Sequence, residues 1–388
     1  MRLEADWLGA APLRAVIEAL GGAAFFVGGC VRNTLLGEPV ADVDITTPIE
    51  PDEVSRRLLA AGLKAVPTGI EHGTVMAVSG GEGFEITTFR ADVATDGRRA
   101  TVRFSTDIAV DAARRDFTMN AIYADPAGEI IDPLGGLADL LARRIRFIGE
   151  PRDRIREDYL RILRFFRFTA WYGEDGIEPE GLAACAELAE GIDGLARERI
   201  GAEMKKLLAA PDPAPAVAAM AASGVLARCL AGASPALLAP LVDLEDKAGV
   251  AADWMVRLAA LGGAGPARAL RLSRAEAKGL AVIRALLATP VPVAIAAHRN
   301  GARAAQAMAL LRAAGGDAGG LASLKSEIAR GAGAEFPLLA ADLIAAGIKP
   351  GPALGAALEA ARTRWLDSNF SLDSEKLLGE ALNKGHKH

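Results

Sequence analysis

Cysteine and histidine are both scarce in this 388-residue chain, and their spacing removes whole classes of chemistry. The three cysteines, Cys30, Cys185 and Cys229, are odd in number and far apart, which leaves neither a disulfide framework nor a Cys-x-x-Cys metal site. They read as buried apolar thiols. The four histidines, His72, His298, His386 and His388, form no His-x-x-x-His or His-Asp grouping, so zinc chemistry is not expected. Long apolar runs are missing as well. The longest uncharged stretches, near residues 213–227 and 285–298, carry prolines and fall short of the roughly 20 residues that cross a bilayer. The first residues place two acids ahead of any apolar run, unlike a secretion signal, and give a cytoplasmic expectation. There is no low-complexity tract and no excess of positive charge: 44 Lys and Arg stand against 49 Asp and Glu, a net charge of -5.

What is present is organised in two styles. A chain of this length is more than one core usually serves, so two or more domains are expected. In the first 135 or so residues short apolar runs alternate with helical patterns, and 24–27, 75–79, 84–89 and 120–124 read as strands. Residues 91–101 have no apolar period and read as an exposed, mobile loop. Beyond about residue 137 strand signals fade into Ala- and Leu-rich helical spacing, with a capping box at Ser273 and Glu276. Charge is concentrated locally. Residues 141–170 hold nine arginines against four acids, a local +5 in an acidic protein, and guanidinium groups bind phosphate oxygens in pairs of hydrogen bonds. A solvated helix face is the plainer account of the same island.

Two short patterns carry chemistry. From Phe25 to Leu36 a buried strand, the Gly28-Gly29 turn and a helix start place backbone N–H groups and Arg32 where a phosphate would be held. Taken alone, such a pair of glycines is equally an ordinary turn. Asp42 and Asp44 follow, two positions apart on what reads as a strand, so both carboxylates share a face while Val43 and Ile45 turn to the core. Like charges side by side are best tolerated when a divalent cation bridges them, and a two-ion Mg2+ site for phosphoryl transfer fits. Alone, Asp-x-Asp also describes plain strand surface.

Together, Gly28, Gly29, Arg32, Asp42 and Asp44 resemble the signature of the polymerase-β-like nucleotidyltransferase superfamily. Further stretches, from Thr68 to Thr74 (TGIEHGT), Glu85 to Arg90 (EITTFR), Arg114 to Ala121 (RRDFTMNA), Asp132 to Gly136 (DPLGG) and Glu157 to Arg161 (EDYLR), look like successive motifs of the class II CCA-adding tRNA nucleotidyltransferase and poly(A) polymerase family. They occur in family order and cover roughly residues 24–208. The resemblance implies an α+β head with a mixed sheet, residues 1–137, followed by an all-α part. That part divides into a helical neck that recognises the base, 138–208, and a helical body and tail for tRNA, 209–388. Asp42 and Asp44 become the catalytic metal ligands, and Gly29, Arg32, Arg115, Asp158, Arg161, Arg164 and Arg167 the nucleotide-binding set, with Arg115 on the triphosphate.

Asp158 and Arg161, three apart on a predicted helix, lie about 60° from each other and can present one edge. A carboxylate accepting from an exocyclic amine and an Arg donating to a ring nitrogen suit cytosine and adenine and reject uracil and guanine. On the same helix Arg167 comes out nearly opposite Asp158, so a tRNA phosphate or a nearby acid competes with the nucleotide as its partner. Phe165, Phe166 and Phe168 read as core. Asp116 and Asn120 are expected to orient Arg115 or the neighbouring strand, and Arg114 to share its work. Glu85, a weaker candidate for a third acid, stays off the catalytic list, and His72 reads as a turn residue. Residues 197–203 resemble a helix that buttresses the Asp158 helix. The expected activity is stepwise addition of C, C and A to tRNA from CTP and ATP with release of pyrophosphate, the loop at 90–103 serving as the moving part. The alternatives are a bacterial poly(A) polymerase, an A-only-adding enzyme and a non-catalytic RNA-binding relative. The chain lacks the Gly-Arg-Arg-Phe stretch that would favour the first of these.

Overall fold

A computed structural model describes the chain except residues 96–99, 175, 290, 318, 320 and 386–388, so His386 and His388 lie outside the described residues. Met1–Ala233 with Ala269–Arg271 form one compact unit, and Ser234–Arg268 with Leu272–His388 a second. The first unit begins with α1 (Ala11–Ala19), β1 (Phe25–Val27), α2 (Gly29–Leu36), β2 (Ile45–Thr47), α3 (Pro51–Ala60), β3 (Lys64–Gly69), β4 (Thr74–Ser79) and β5 (Glu82–Thr88). Then come the paired strands β6 (Arg90–Thr95) and β7 (Ala100–Phe104), followed by α4 (Ile108–Ala113), β8 (Tyr123–Ala124) and β9 (Ile130–Ile131).

Seven of these strands make one mixed sheet in the order β3-β4-β5-β2-β1-β8-β9. β2 and β5 run parallel, with Ile45 opposite Ile86, and the other neighbours run antiparallel. Along β4 burial alternates, Val75 and Ala77 turning inward, as a sheet covered on one face requires. Helices α1 and α3 supply that cover through Leu13, Val16, Val54 and Leu58, all at 1% exposure or less. From Gly136 onward the described elements are all helical: α5 (Gly136–Leu141), α6 (Pro151–Glu157), α7 (Leu160–Tyr172), α8 (Pro179–Glu187), α9 (Arg197–Leu208), α10 (Ala214–Ala222) and α11 (Val225–Cys229) complete the first unit. The expected fold class, a mixed-sheet head followed by an all-α part, is what is observed.

Four expectations need correction. Asp42 and Asp44 precede β2 instead of lying on it, and Val43 is half-buried where a core position was expected. Residues 90–95 and 100–104 pair as an antiparallel hairpin where a loop was expected, Arg90 opposite Phe104, since backbone pairing does not need an apolar period. Asn120 closes a 3-10 turn, Thr118–Asn120, and the strand begins only at Tyr123. Lastly, the Glu157–Arg161 motif is no single helix: α6 ends at Glu157, Asp158 is extended at φ -154°, and α7 starts at Leu160.

Aromatic rings bind the α7 helix to the head. Phe117 lies 4.9 Å from Phe147 and 5.1 Å from Phe168, while Phe147 stacks on Phe165 at 5.4 Å. All of these rings are buried, as expected of the phenylalanines on α7. The three cysteines are free and buried, and burial pushes the Cys30 thiol up to about 11. The second unit is helical, with the Ser273–Glu276 capping box in place and a buried pair between Arg257 and Glu245. Among the described residues no helix is long and apolar enough to cross a membrane. Phe165→Ala should cost about 3–5 kcal/mol, the usual loss for deleting a buried ring, measured as a shift in the chemical-denaturation midpoint.

Candidate active site

Gly28 has φ +73° and ψ -122°, a conformation open to glycine alone, and this sharp turn starts α2 at Gly29. Space is not the constraint, because a Cβ at Gly28 would stand 3.8 Å from the nearest atom, Arg115 Nη1. The carbonyl of Asp44 accepts from Val27 N at 3.2 Å, which pins the Asp42–Asp44 segment beside this turn. Both aspartates are exposed. The parallel register of β2 on β5 continues back one step and brings Glu85 next to Asp44. Although the residue as a whole is exposed, crowding of its carboxyl by the surrounding protein first, and then the charges of Glu85 and Asp42, hold the Asp44 carboxyl above the usual carboxylate range, with Arg115 pulling the other way. Two aspartates separated by one residue supply hard oxygen donors of the kind a divalent cation takes, although among the described residues no group of three or more such ligands is gathered.

The predicted nucleotide residues fall into three places. Arg115 stands at the glycine turn, held by Asp111 and by the Tyr123 hydroxyl. Arg32, Arg164 and Arg167 converge on the ring of Phe168, with guanidinium carbons 5.1, 5.5 and 4.6 Å from its centroid. Arg32 is only 7% exposed and donates to Asn120 Oδ1 and Tyr172 Oη, while its Nη2 lies 3.9 Å from where a Cβ on Gly29 would stand, so it spans the space between the glycine turn and α7. Arg164 pairs with Asp116, and Arg167 Nε lies 2.7 Å from Glu203 Oε2. Burial holds the Arg32 and Arg167 guanidiniums below their ordinary value.

Asp158 and Arg161 form the third place, the Asp158 carbonyl accepting from the Arg161 N–H at 3.0 Å while their side chains hold different partners. Asp158 caps the Leu160 N–H at 3.1 Å and accepts from Arg199 of α9 at 2.6 Å. Arg161 pairs with Glu157 and donates to the carbonyls of Arg154 and Arg114. With no shared helix, the 60° relation has nothing to act on. The buttress expected from residues 197–203 is present: Arg199 reaches Asp158 and Glu203 reaches Arg167.

Asp116 and Asn120 do not orient Arg115. They carry Arg164 and Arg32, joined to each other by Asn120 Nδ2 donating to Asp116 Oδ1 at 2.9 Å. Sequence reasoning missed Asp111 and Tyr123 as the groups behind Arg115. Asp111 stands four residues before Arg115 on a short helix, a legible spacing, whereas Tyr123 arrives only through the sheet. The arginine island is likewise not a bare cationic face. All nine of its arginines are ion-paired, several with acids outside the island: Asp116, Asp139, Glu174, Glu187 and Glu203. His72 sits in a turn whose carbonyl accepts from Arg90 at the root of the hairpin, as a turn residue should.

Two family models match, described as a poly A polymerase head domain over residues 24–146 and a probable RNA and SrmB-binding site of polymerase A over 176–237. A CCA-adding enzyme of Lacticaseibacillus paracasei is 34% identical over 385 residues, 96% of this chain and 95% of its own length. The chain belongs to the family of CCA-adding enzymes. Another member, from Leuconostoc citreum, is 45% identical over 208 residues, 53% of this chain and 50% of that one. The chain thus spans about half the length of the first curated relatives it matches. The crystal structure of the Bacillus stearothermophilus CCA-adding enzyme in complex with CTP superposes with a TM-score of 0.71 at 29% identity, covering 97% of this chain and 98% of that one. The chemistry of CCA-adding enzymes is metal-dependent in general.

The raised Asp44 carboxyl gives a cation test that needs no turnover. Its protonated form is favoured on folding, so its contribution to stability is present at low pH and lost as pH rises through the raised value. A divalent cation held by the ionised pair would offset that loss. The gain in melting temperature on adding divalent cation should therefore be largest near neutrality, shrink as pH falls through the acid range, and largely vanish in Asp44→Asn.

Proposed function

We propose that this protein extends tRNA 3' ends by adding C, C and A in turn from CTP and ATP, releasing pyrophosphate at each step. The observation that carries it is the pinned Asp42–Asp44 segment beside the Gly28 turn and Arg115, in a chain alike along 96% of its length to a CCA-adding enzyme. Asp42 and Asp44 would hold two Mg2+ ions. When bound, such ions supply charge neutralisation for the triphosphate and lower the pKa of an attacking hydroxyl.

The chain's own residues account for the rest. The backbone of Gly28 and Gly29 and the α2 N-terminus receive the triphosphate, and Arg115 donates to its oxygens. The tRNA 3'-hydroxyl forms a bond to the α-phosphorus as the bond to the β-phosphate oxygen breaks, and pyrophosphate leaves with the electron pair. Asp158 and Arg161 select the base once they exchange Arg199 and Glu157 for its amine and ring nitrogen, while Arg164, Arg167 and Arg32 form the wall against Phe168. In this proposal residues 1–137 transfer, 138–208 choose the nucleotide and 209–388 hold tRNA, in the cytoplasm. The hairpin of β6 and β7 is the moving part for the change from CTP to ATP.

Purified protein with Mg2+ and tRNA transcripts ending before CCA, after C and after CC tests this directly. Three residues added in the order C, C, A support it. Extension of only the transcript ending in CC means an A-only enzyme, long A tracts mean poly(A) synthesis, and no incorporation sinks the enzymatic reading. Asp42→Asn and Asp44→Asn should each lower the rate at least 10²-fold, on the order of losing a group used only in the transition state. Arg161→Ala should admit UTP before it abolishes addition.

A further inference from the structure

Arg115 is a semi-rigid fork whose direction is decided by two residues that carry no assignment so far. Its Nη2 donates to Asp111 Oδ2 at 2.9 Å and its Nε to the Tyr123 hydroxyl at 3.1 Å. The same hydroxyl donates to Asp111 Oδ2 at 2.8 Å, closing a three-membered ring of hydrogen bonds. The guanidinium also lies over the Tyr123 ring, 5.4 Å from its centroid. Asp111 is fully buried and receives Arg114 as well, so its carboxylate cannot turn away to solvent. Tyr123 is equally fixed, fully buried on β8, paired across the sheet with Val27 and touched edge-on by Phe89. Two of the three guanidinium nitrogens are thereby tied back. The third, Nη1, makes no hydrogen bond among the described residues and is the atom that faces Gly28.

We propose that Asp111 and Tyr123 are positioning residues for nucleotide binding, holding Arg115 so that Nη1 alone is offered to a triphosphate oxygen at the glycine turn. This rests on the reading of the chain as a nucleotide-adding enzyme. Tyr123 faces the interior and touches no substrate. Its part is to hold an otherwise flexible arginine against the pull of the Asp44 carboxylate, whose charge interacts with it. A pre-aimed cation spares the ordering cost at binding, so the benefit appears in nucleotide affinity and not in the chemical step.

The test is a double-mutant cycle of Tyr123→Phe and Arg115→Ala, read as KM for CTP, KM for tRNA and kcat, with CTP binding to the protein alone measured at equilibrium. Removing the hydroxyl, and with it the bond it accepts from Arg115 and the one it donates to Asp111, predicts about a tenfold rise in the CTP KM and Kd for Tyr123→Phe, with kcat and the tRNA KM close to wild type. In the Arg115→Ala background the same substitution should add nothing. Asp111→Asn should act in the same direction and more strongly. If it does not fold, the Tyr123→Phe cycle decides alone. Unchanged CTP affinity in Tyr123→Phe, additive effects in the double variant, or parallel losses for CTP and tRNA each overturn the proposal. Wild-type protein measured alongside separates the two levels: wild type that binds no CTP and adds no nucleotide removes the underlying reading and the inference with it. Wild type that adds nucleotides while the cycle is additive removes the inference alone.

Discussion

A guanidinium taken out of water needs a fixed carboxylate beside it, and most of this site is built to satisfy that demand. Arg115 has Asp111, Arg164 has Asp116, Arg167 has Glu203, and in the second unit Arg257 has Glu245. The first pair joins residues four apart, whereas in the other three the partners come from separate stretches of the chain, so those pairs also hold two segments together. Arg154 extends the pattern to the backbone, donating to the carbonyls of Arg114 and Arg115 while it pairs with Glu157. Through Arg154 and Arg161, α6 and α7 are therefore fastened to the end of α4, the segment that aims Arg115.

Under the proposed function, a nucleotide arriving here would compete for partners already present. Asp158 and Arg161 are each satisfied by protein groups, Arg199 for one and Glu157 with two carbonyls for the other. A base that offered the right amine and ring nitrogen would replace those bonds about evenly, whereas a wrong base would leave charged groups unpaired, and that difference is where discrimination arises. At the glycine turn the balance is different. Asp42 and Glu85 each repel Asp44, Arg115 is the nearby cation that relieves Asp44, and Arg115 Nη1 remains unspent.

Much of the site was legible because it is local. The Gly28-Gly29 turn, the aspartate pair and the arginine sequence are short strings whose chemistry survives any error in the secondary structure around them. The mistakes came where a pattern was read beyond its neighbourhood. Asp158 and Arg161 were expected on one helix, but the chain breaks at Asp158 and restarts with its carboxylate as the cap. The arginine island looked cationic because the acids that neutralise it, such as Asp116 and Glu203, lie far away along the chain. The hairpin at residues 90–104 was invisible because its pairing is carried by backbone groups, which the side-chain pattern does not report.

The sequence by itself determined the family and the α+β head with its helical continuation, since both depend on residue type and patterning at short spacing. Only the tertiary structure decided which acid answers which arginine. Asp116 and Asn120, next to Arg115 in sequence, serve Arg164 and Arg32, while Tyr123 reaches Arg115 from another strand. The reason is physical: a buried ion pair is fixed by distance and burial in three dimensions, and neither quantity is written in the order of residues along the chain.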